Sequence, residues 1–409
     1  MTYPLHRTMT LAMMISSTLG LATAANAQEI NLRSEDGTVD ITGDFVEFTD
    51  NNYVINTPVG YLRVLGGAVE CYGDACPDLG AAADSSAITA SATANSVVWD
   101  VSLWGKRRAF TEHVEKLAEL VDEKTDGAFT LNISYGGLSD SRENLDGIST
   151  GTFEMAQFCA GYHRHKNPSI TVLELPFLGV GSLEQEIKVS QAVYAHPATQ
   201  ADMARWNATL LMPSPLPQYN IVGTGFPPTA LEDFGGMTVR ATGGIGDALE
   251  SLGAVLVNMP ATEVREGLEA NIVDAVSFAP HAHMSFGTIK TGSWWTTNLN
   301  PGTVNCPVVV NTNAMAELSE DHRAALLSSV DEALEHYVAY YQGATMDAWL
   351  PALRESGVAT LTVRENIVDS IEQAVAGPAA AAWVAEHSAR GLPAQELYDL
   401  VKTTIADGE

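Results

Sequence analysis

Basic residues are scarce in this chain. Lysine and arginine number 21 against 50 aspartates and glutamates, a formal net charge of −29. So acidic a surface repels nucleic acid and anionic membranes, which excludes both as general partners. An anionic small molecule would also approach against the global field, so a site for one must rest on local cations. Long apolar runs are missing as well: after the first two dozen residues no stretch is long and apolar enough to span a bilayer. The zinc-protease motif H-E-x-x-H and the phosphate loop G-x-x-x-x-G-K-[ST] do not occur. Gly243-Gly244-Ile245-Gly246 follows a strand-like run but lacks the full dinucleotide spacing. No enzymatic activity and no cofactor is therefore expected. Disorder is excluded too, because 46% of residues are hydrophobic and only 17% charged.

Residues 1–27 have the layout of a secretory signal peptide: Arg7, an apolar stretch Leu11–Ala22 and the small-residue site Ala25-Asn26-Ala27. No cysteine follows that site, so a lipid anchor is not indicated. The expected product is exported and is not itself membrane-inserted. Residues 28–77 alternate polar and apolar positions between turn clusters, which predicts a small antiparallel β domain of about four strands. Its Cys71 and Cys76 lie close together, and in an oxidising compartment a disulfide is favoured; the rival, a metal site, falls short of four ligands. Cys159 and Cys306, in apolar runs, read as buried thiols. Residues 78–96 are rich in Ala, Ser, Thr and Gly and read as a flexible linker.

From Val97 the pattern becomes α/β. The stretch from Asp233 to Phe278 reads strand, helix, strand, helix, strand, with Gly243, Gly244 and Gly246 forming a turn and Thr262 a candidate N-cap. Such alternation predicts a parallel sheet, in which ligands sit beyond the carboxyl ends of the strands. Arg240 stands at such an end, before a glycine turn and a helix N-terminus, where an anion would be held.

Those residues carry a resemblance. G-G-M-T-V-R, then L-G-A, then N-M-P-A-T-E-V-R-E-G-L-E-A-N-I-V-D-A is similar to the central motif of the TRAP (tripartite ATP-independent periplasmic) transporter substrate-binding proteins, and the likeness extends from Val97 to the C-terminus. It implies a two-lobed periplasmic-binding-protein fold with discontinuous domains, lobe I about 97–220 and 304–345, lobe II about 221–303 and 346–409. Tyr219–Thr224 and Val304–Asn311 are candidate crossing strands, and a long helix from Asp321 lies across both lobes. The resemblance further implies a periplasmic receptor that delivers a small organic carboxylate to small and large integral membrane subunits, with Arg240 forming the salt bridge to the carboxylate.

Around Arg240, the residue types at strand ends suggest a pocket. Trp104, Tyr135, Phe158, Tyr162, Tyr219 and Phe278 are candidate walls, which favours an aromatic or hydrophobic monocarboxylate. Trp104-Gly105-Lys106-Arg107-Arg108 is the dense basic cluster, placed to steer an anion rather than grip it. His163, after the third strand, is a candidate ligand contact. Two pairs, His163/His165 and His281/His283, have the i, i+2 spacing of paired ligands on a strand, so an exported metal-binding protein is the alternative. A ligand sensor with a signalling partner is another. Relatives of the sialic-acid type carry a second arginine where Gln218–Asn220 stands here. Those of the oxoacid type hold a metal through Glu-Trp where Ser277-Phe278 stands, so no metal-bridged ligand is expected.

Overall fold

The computed structural model describes residues 29–34, 40–49, 52–57, 60–65, 69–73, 75–77 and 96–408. The expected signal peptide, and all but the last residue of the expected linker, lie outside them. The chain divides into two compact units, residues 1–91 and 92–409.

The first unit holds β1 (Glu29–Arg33), β2 (Asp40–Thr49), β3 (Asn52–Thr57), β4 (Gly60–Leu65) and β5 (Glu70–Tyr72). They form one antiparallel sheet in the order β4-β3-β2-β1-β5. The fifth strand exceeds the expected four. It is three residues long, too short for a period-2 pattern, and is recruited by pairing with β1. Alternation works as the pleat requires: in β1, Ile30 and Leu32 face inward onto Tyr53 and Ile55. The Cys71–Cys76 disulfide is formed.

The second unit contains two lobes. In lobe I, β6 (Val97–Leu103), β7 (Phe129–Tyr135), β8 (Met155–Gln157), β9 (Ala208–Met212) and β15 (Val308–Asn311) lie in the order β7-β6-β8-β15-β9. In lobe II, β10 (Asn220–Gly223), β11 (Thr238–Arg240), β12 (Val255–Leu256), β13 (Ala275–Phe278), β14 (Trp294–Thr296) and β16 (Ala359–Leu361) lie in the order β12-β11-β13-β10-β14-β16. The sheets are mixed rather than parallel. β10 and β15 enter from the opposite lobe and therefore run antiparallel to their neighbours β13 and β8. Each lies wholly within one sheet. The crossings themselves are the extended segments 213–219 and 297–307, where Pro213, Pro215, Pro217, Pro301 and Pro307 lack the N–H a ladder needs.

A third crossing is helical. Helices Glu320–Ser328, Val330–Tyr340 and Met346–Ser356 follow one another, with a π turn at Tyr341–Thr345 between the last two. Leu326, Val330 and Leu334 pack into lobe I beside Val101 and Val114, whereas Trp349 and Leu353 pack beside Val222 and Ile289. The C-terminal part departs from the expected boundaries. Helix Glu365–Ala389 begins on lobe II through Ile371 and ends on lobe I through Ala380 and Trp383. Helix Ala394–Ala406 packs on lobe I through Leu397, Val401 and Ile405. Lobe II thus does not extend to the C-terminus.

The remaining differences are local. The three glycines lie inside helix Gly243–Ser251 rather than in a turn before it. Thr262 sits in a 3-10 turn, Ala261–Glu263, and Glu263 takes the N-cap position of helix Val264–Glu269. Cys159 and Cys306 form a disulfide instead of standing as thiols. The ladder of β8 and β15 continues past the regular strands: Phe158 N–H donates to Pro307 C=O and Ala160 N–H to Asn305 C=O. The two cysteines between are therefore directly opposed, Cα atoms 3.9 Å apart.

Candidate functional site

β11 is a short central strand of lobe II, and its last residue, Arg240, is 2% exposed. The guanidinium is held on two sides. Nε donates to Met259 C=O at 3.0 Å and Nη2 to the Tyr162 hydroxyl at 2.8 Å. Its carbon lies 4.7 Å from the centre of the Phe278 ring, and the same Tyr162 hydroxyl accepts from Ala261 N–H at 3.2 Å. Among the described residues no carboxylate pairs with Arg240, and its Nη1 makes no protein hydrogen bond. The free side faces a narrow cavity of about 30 Å³, room for roughly two waters. Lobe I contributes Trp104, Arg108, Tyr162 and Glu174 to its lining; lobe II contributes Arg240, Phe278, His281 and Phe286.

Five of the residues expected from sequence come together there: Arg240, Trp104, Tyr162, Tyr219 and Phe278. Three do not. Tyr135 is half-buried, with its hydroxyl bonded to the Glu115 carboxylate and the Thr111 hydroxyl. Phe158 is fully buried in the lobe I core, since alternation turns it inward while Cys159 reaches the cavity. The 3-10 turn Ala160–Tyr162 then points Tyr162 into the cavity and leaves His163 edge-on to Phe158, ring centres 5.3 Å apart. Burial pushes the His163 imidazole down to about 4, so it is neutral.

The histidine pairs do not converge. His281 and His283 stand on helix Pro280–Ser285, where i and i+2 diverge. His281 Nδ1 meets the Tyr341 hydroxyl at 3.0 Å, and His283 Nδ1 meets the Thr288 hydroxyl at 2.7 Å. Burial holds His283 down to about 3. Among the described residues no group of three or more His, Cys, Asp or Glu is placed to hold a metal. Gly147-Ile148-Ser149-Thr150-Gly151 has the spelling of a nucleophile elbow, but it runs along the end of helix Asn144–Thr150 rather than a strand-to-helix turn.

Two cavity residues were not among the expected contacts: Arg108, read only as part of a cluster that steers an anion, and Glu174. Arg107 stays outside, paired with Glu112 and Glu115, but Arg108 turns inward and is 7% exposed. Neighbouring arginines carry no signal of which one is buried. Burial pushes the Arg108 guanidinium down to about 10, which leaves it charged at neutral pH. Glu174 is 1% exposed; its Oε1 accepts from the N–H groups of Gly161 and Asn305, both at 3.1 Å. Burial pushes its carboxyl up to about 7. A Cβ on Gly244 would lie 2.1 Å from the Glu174 carbonyl oxygen, and one on Gly243 2.3 Å from Glu174 Oε2. The glycines thus let the lobe II helix begin directly against lobe I. Arg164 of lobe I and Asp247 of lobe II form a two-point ion pair beside this contact.

The family model for bacterial extracellular solute-binding proteins, family 7 (DctP), matches residues 101–380. The chain belongs to this family. The kinship with the TRAP solute receptors expected from the central motif holds, and the members of this family are binding receptors. This family 7 protein is 23% identical over 298 residues to the outer membrane transporter protein TsaT of Comamonas testosteroni, covering 72% of this chain and 86% of that one. In fold it matches a marine metagenome TRAP solute-binding protein specific for aromatic acid ligands, solved with metahydroxyphenylacetate. That match has a TM-score of 0.69 and 19% identity, and covers 76% of this chain and 99% of the other. A Bordetella pertussis solute receptor binding pyroglutamic acid, DctP7, matches with a TM-score of 0.66 and 19% identity over 75% of this chain and 99% of its own. No helix among the described residues is long and apolar enough to cross a membrane.

Proposed function

We propose that this family 7 receptor works in the periplasm, captures a small organic carboxylate on Arg240 by closing its two lobes, and delivers it to TRAP membrane subunits. The observation that carries the reading is a buried guanidinium with a free side, no acidic partner among the described residues and a cavity in front of it. Leaving such a charge unpaired is costly, whereas each charge-assisted hydrogen bond to a carboxylate contributes about 1.5–3 kcal/mol. Phe278 and Met259, on the same lobe as Arg240, hold the side chain before the lobes close, so little ordering cost falls on binding, and Tyr162 adds its hydrogen bond on closure.

The walls suggest the rest of the ligand. Trp104, Tyr162, Phe278 and Phe286 present ring surface from both lobes, which suits an aromatic or hydrophobic body. The related receptor specific for aromatic acid ligands supports that class. A cavity of about 30 Å³ takes a carboxylate but not a ring, so a ring-bearing ligand holds the lobes further apart than they stand here. Closure then favours the liganded state because both lobes contribute contacts. The test is a thermal-shift screen of aromatic, hydroxy, oxo and dicarboxylic acids, since a bound acid raises the melting temperature by mass action. Aromatic acids should give the larger shifts; a response confined to small polar acids refutes the class.

A further inference from the structure

The same cavity holds a second guanidinium that the protein leaves half-satisfied. Arg108 uses Nη1 twice, donating to Trp104 C=O at 2.9 Å and Lys106 C=O at 2.8 Å. Its faces are covered by rings: the carbon lies 4.3 Å from the centre of Trp104, 5.2 Å from Phe110 and 5.7 Å from Phe286. A purely structural pillar, stacked to support the loop, would explain those contacts. It does not explain the remaining edge. Nε and Nη2 are buried and have no hydrogen-bond partner. Those two nitrogens form the side-on fork that a carboxylate accepts with both oxygens.

Among the described residues no carboxylate neutralises this charge. None of the ion pairs among the described residues includes Arg108. Glu174 shares the cavity, but its Oε1 is taken by two backbone N–H groups and its Oε2 lies against Gly243. The cation it feels is Arg164. A ligand with one negative group would neutralise Arg240 and leave Arg108 buried, charged and with three N–H bonds unmade. That outcome is unfavourable in a closed cavity.

We propose that the ligand carries two anionic ends, a carboxylate on Arg240 of lobe II and a second carboxylate-like group on the Nε–Nη2 edge of Arg108 of lobe I, with a ring or other rigid apolar body between them. This rests on the reading of the cavity as the receptor's ligand site, and it replaces the single anionic end expected from sequence. Each lobe then holds one end, so a ligand with both charges bridges the halves and a singly charged one does not. Trp104 and Phe286, stacked at 6.5 Å with ring planes 7° apart, bracket the space beside Arg108.

The experiment is calorimetric titration of the full mature protein with benzoate, isophthalate and terephthalate. Wild type should bind at least one diacid about tenfold or more tighter than benzoate, the increment of one charge-assisted contact. Arg108→Met should abolish that preference, bringing the ratio of diacid to benzoate affinity to about one. Should that variant fail to fold, Arg108→Lys keeps a charge but not the fork and should weaken diacid binding about tenfold. Benzoate binding as tightly as both diacids, no diacid binding at all, or a preference that survives removal of Arg108 overturns the proposal. Arg240→Ala separates the two levels: if it binds these acids like wild type, the underlying site assignment fails, whatever Arg108 does.

Discussion

Replacing Glu174 by glutamine should flatten the alkaline side of the stability profile. The carboxyl is fully buried, and burial raises its folded-state pKa from 4.5 to about 7, against the opposing effects of two backbone N–H groups and Arg164. Folding therefore favours the protonated acid. That contribution is complete below about 4.5 and is lost as pH rises through about 7. A difference of this size corresponds to on the order of 3 kcal/mol between the two ends of the window. At roughly 2 °C per kcal/mol for a domain of this size, the loss is about 6 °C in melting temperature. Glu186, buried behind it and bonded to Asn305 and Ser190, is raised to about 8 and adds a similar decline. Glutamine keeps an oxygen for Gly161 and Asn305 and cannot ionise, so Glu174→Gln should match wild type at pH 5 and exceed it by several degrees at pH 8. Thermal melts of both proteins across that range decide it. Parallel curves, with no gap opening above pH 6, would refute the account of Glu174 as an acid held neutral between the lobes.

Other perturbations follow from the same contacts. Gly244→Ala places a methyl 2.1 Å from the Glu174 carbonyl oxygen, so it should hold the lobes of the unliganded protein further apart; small-angle scattering of the variant and wild type without ligand reads the change. Breaking the Cys159–Cys306 disulfide with Cys306→Ser should lower stability by about 2–4 kcal/mol, seen as an earlier denaturation midpoint, and the unreduced wild type should show no free thiol among these four cysteines. His281 and His283 are pushed down by burial, so in a Glu174→Gln background, where the cavity carboxyl no longer titrates, ligand affinity should not change as pH falls from 7.5 to 6; titration calorimetry at both values checks this.

Periodicity and breakers carried the fold a long way. The central run of β11, β12 and β13 with two helices between was readable because each element is short, uniform in pattern and bounded by glycine or proline. The crossings were misplaced because an apolar strand looks the same whether it leaves a lobe or ends in it; the prolines at 213–217 and at 301 and 307 mark the true crossings. Helix Ala394–Ala406 has an ordinary amphipathic face, and such a face does not say which lobe it covers. The place of Arg240 at the cavity was legible because it ends a strand of the lobe II sheet, and ligand clefts lie beyond such ends. Arg108 and Glu174 were not. Their roles depend on a loop geometry that buries the second of two adjacent arginines, and on an acid meeting backbone N–H groups 13 and 131 residues away. The Cys159–Cys306 pairing, 147 residues apart, likewise appears only once β8 and β15 are neighbours.

The measurement closest to the centre of the account is titration calorimetry of Arg240→Ala with an acid that stabilises the wild type in the thermal screen. Two or more charge-assisted bonds are lost, about 3 kcal/mol or more, so affinity should fall at least a hundredfold while the melting temperature without ligand stays near wild type. Binding within threefold of wild type would mean that the guanidinium at the end of β11 does not hold the acid.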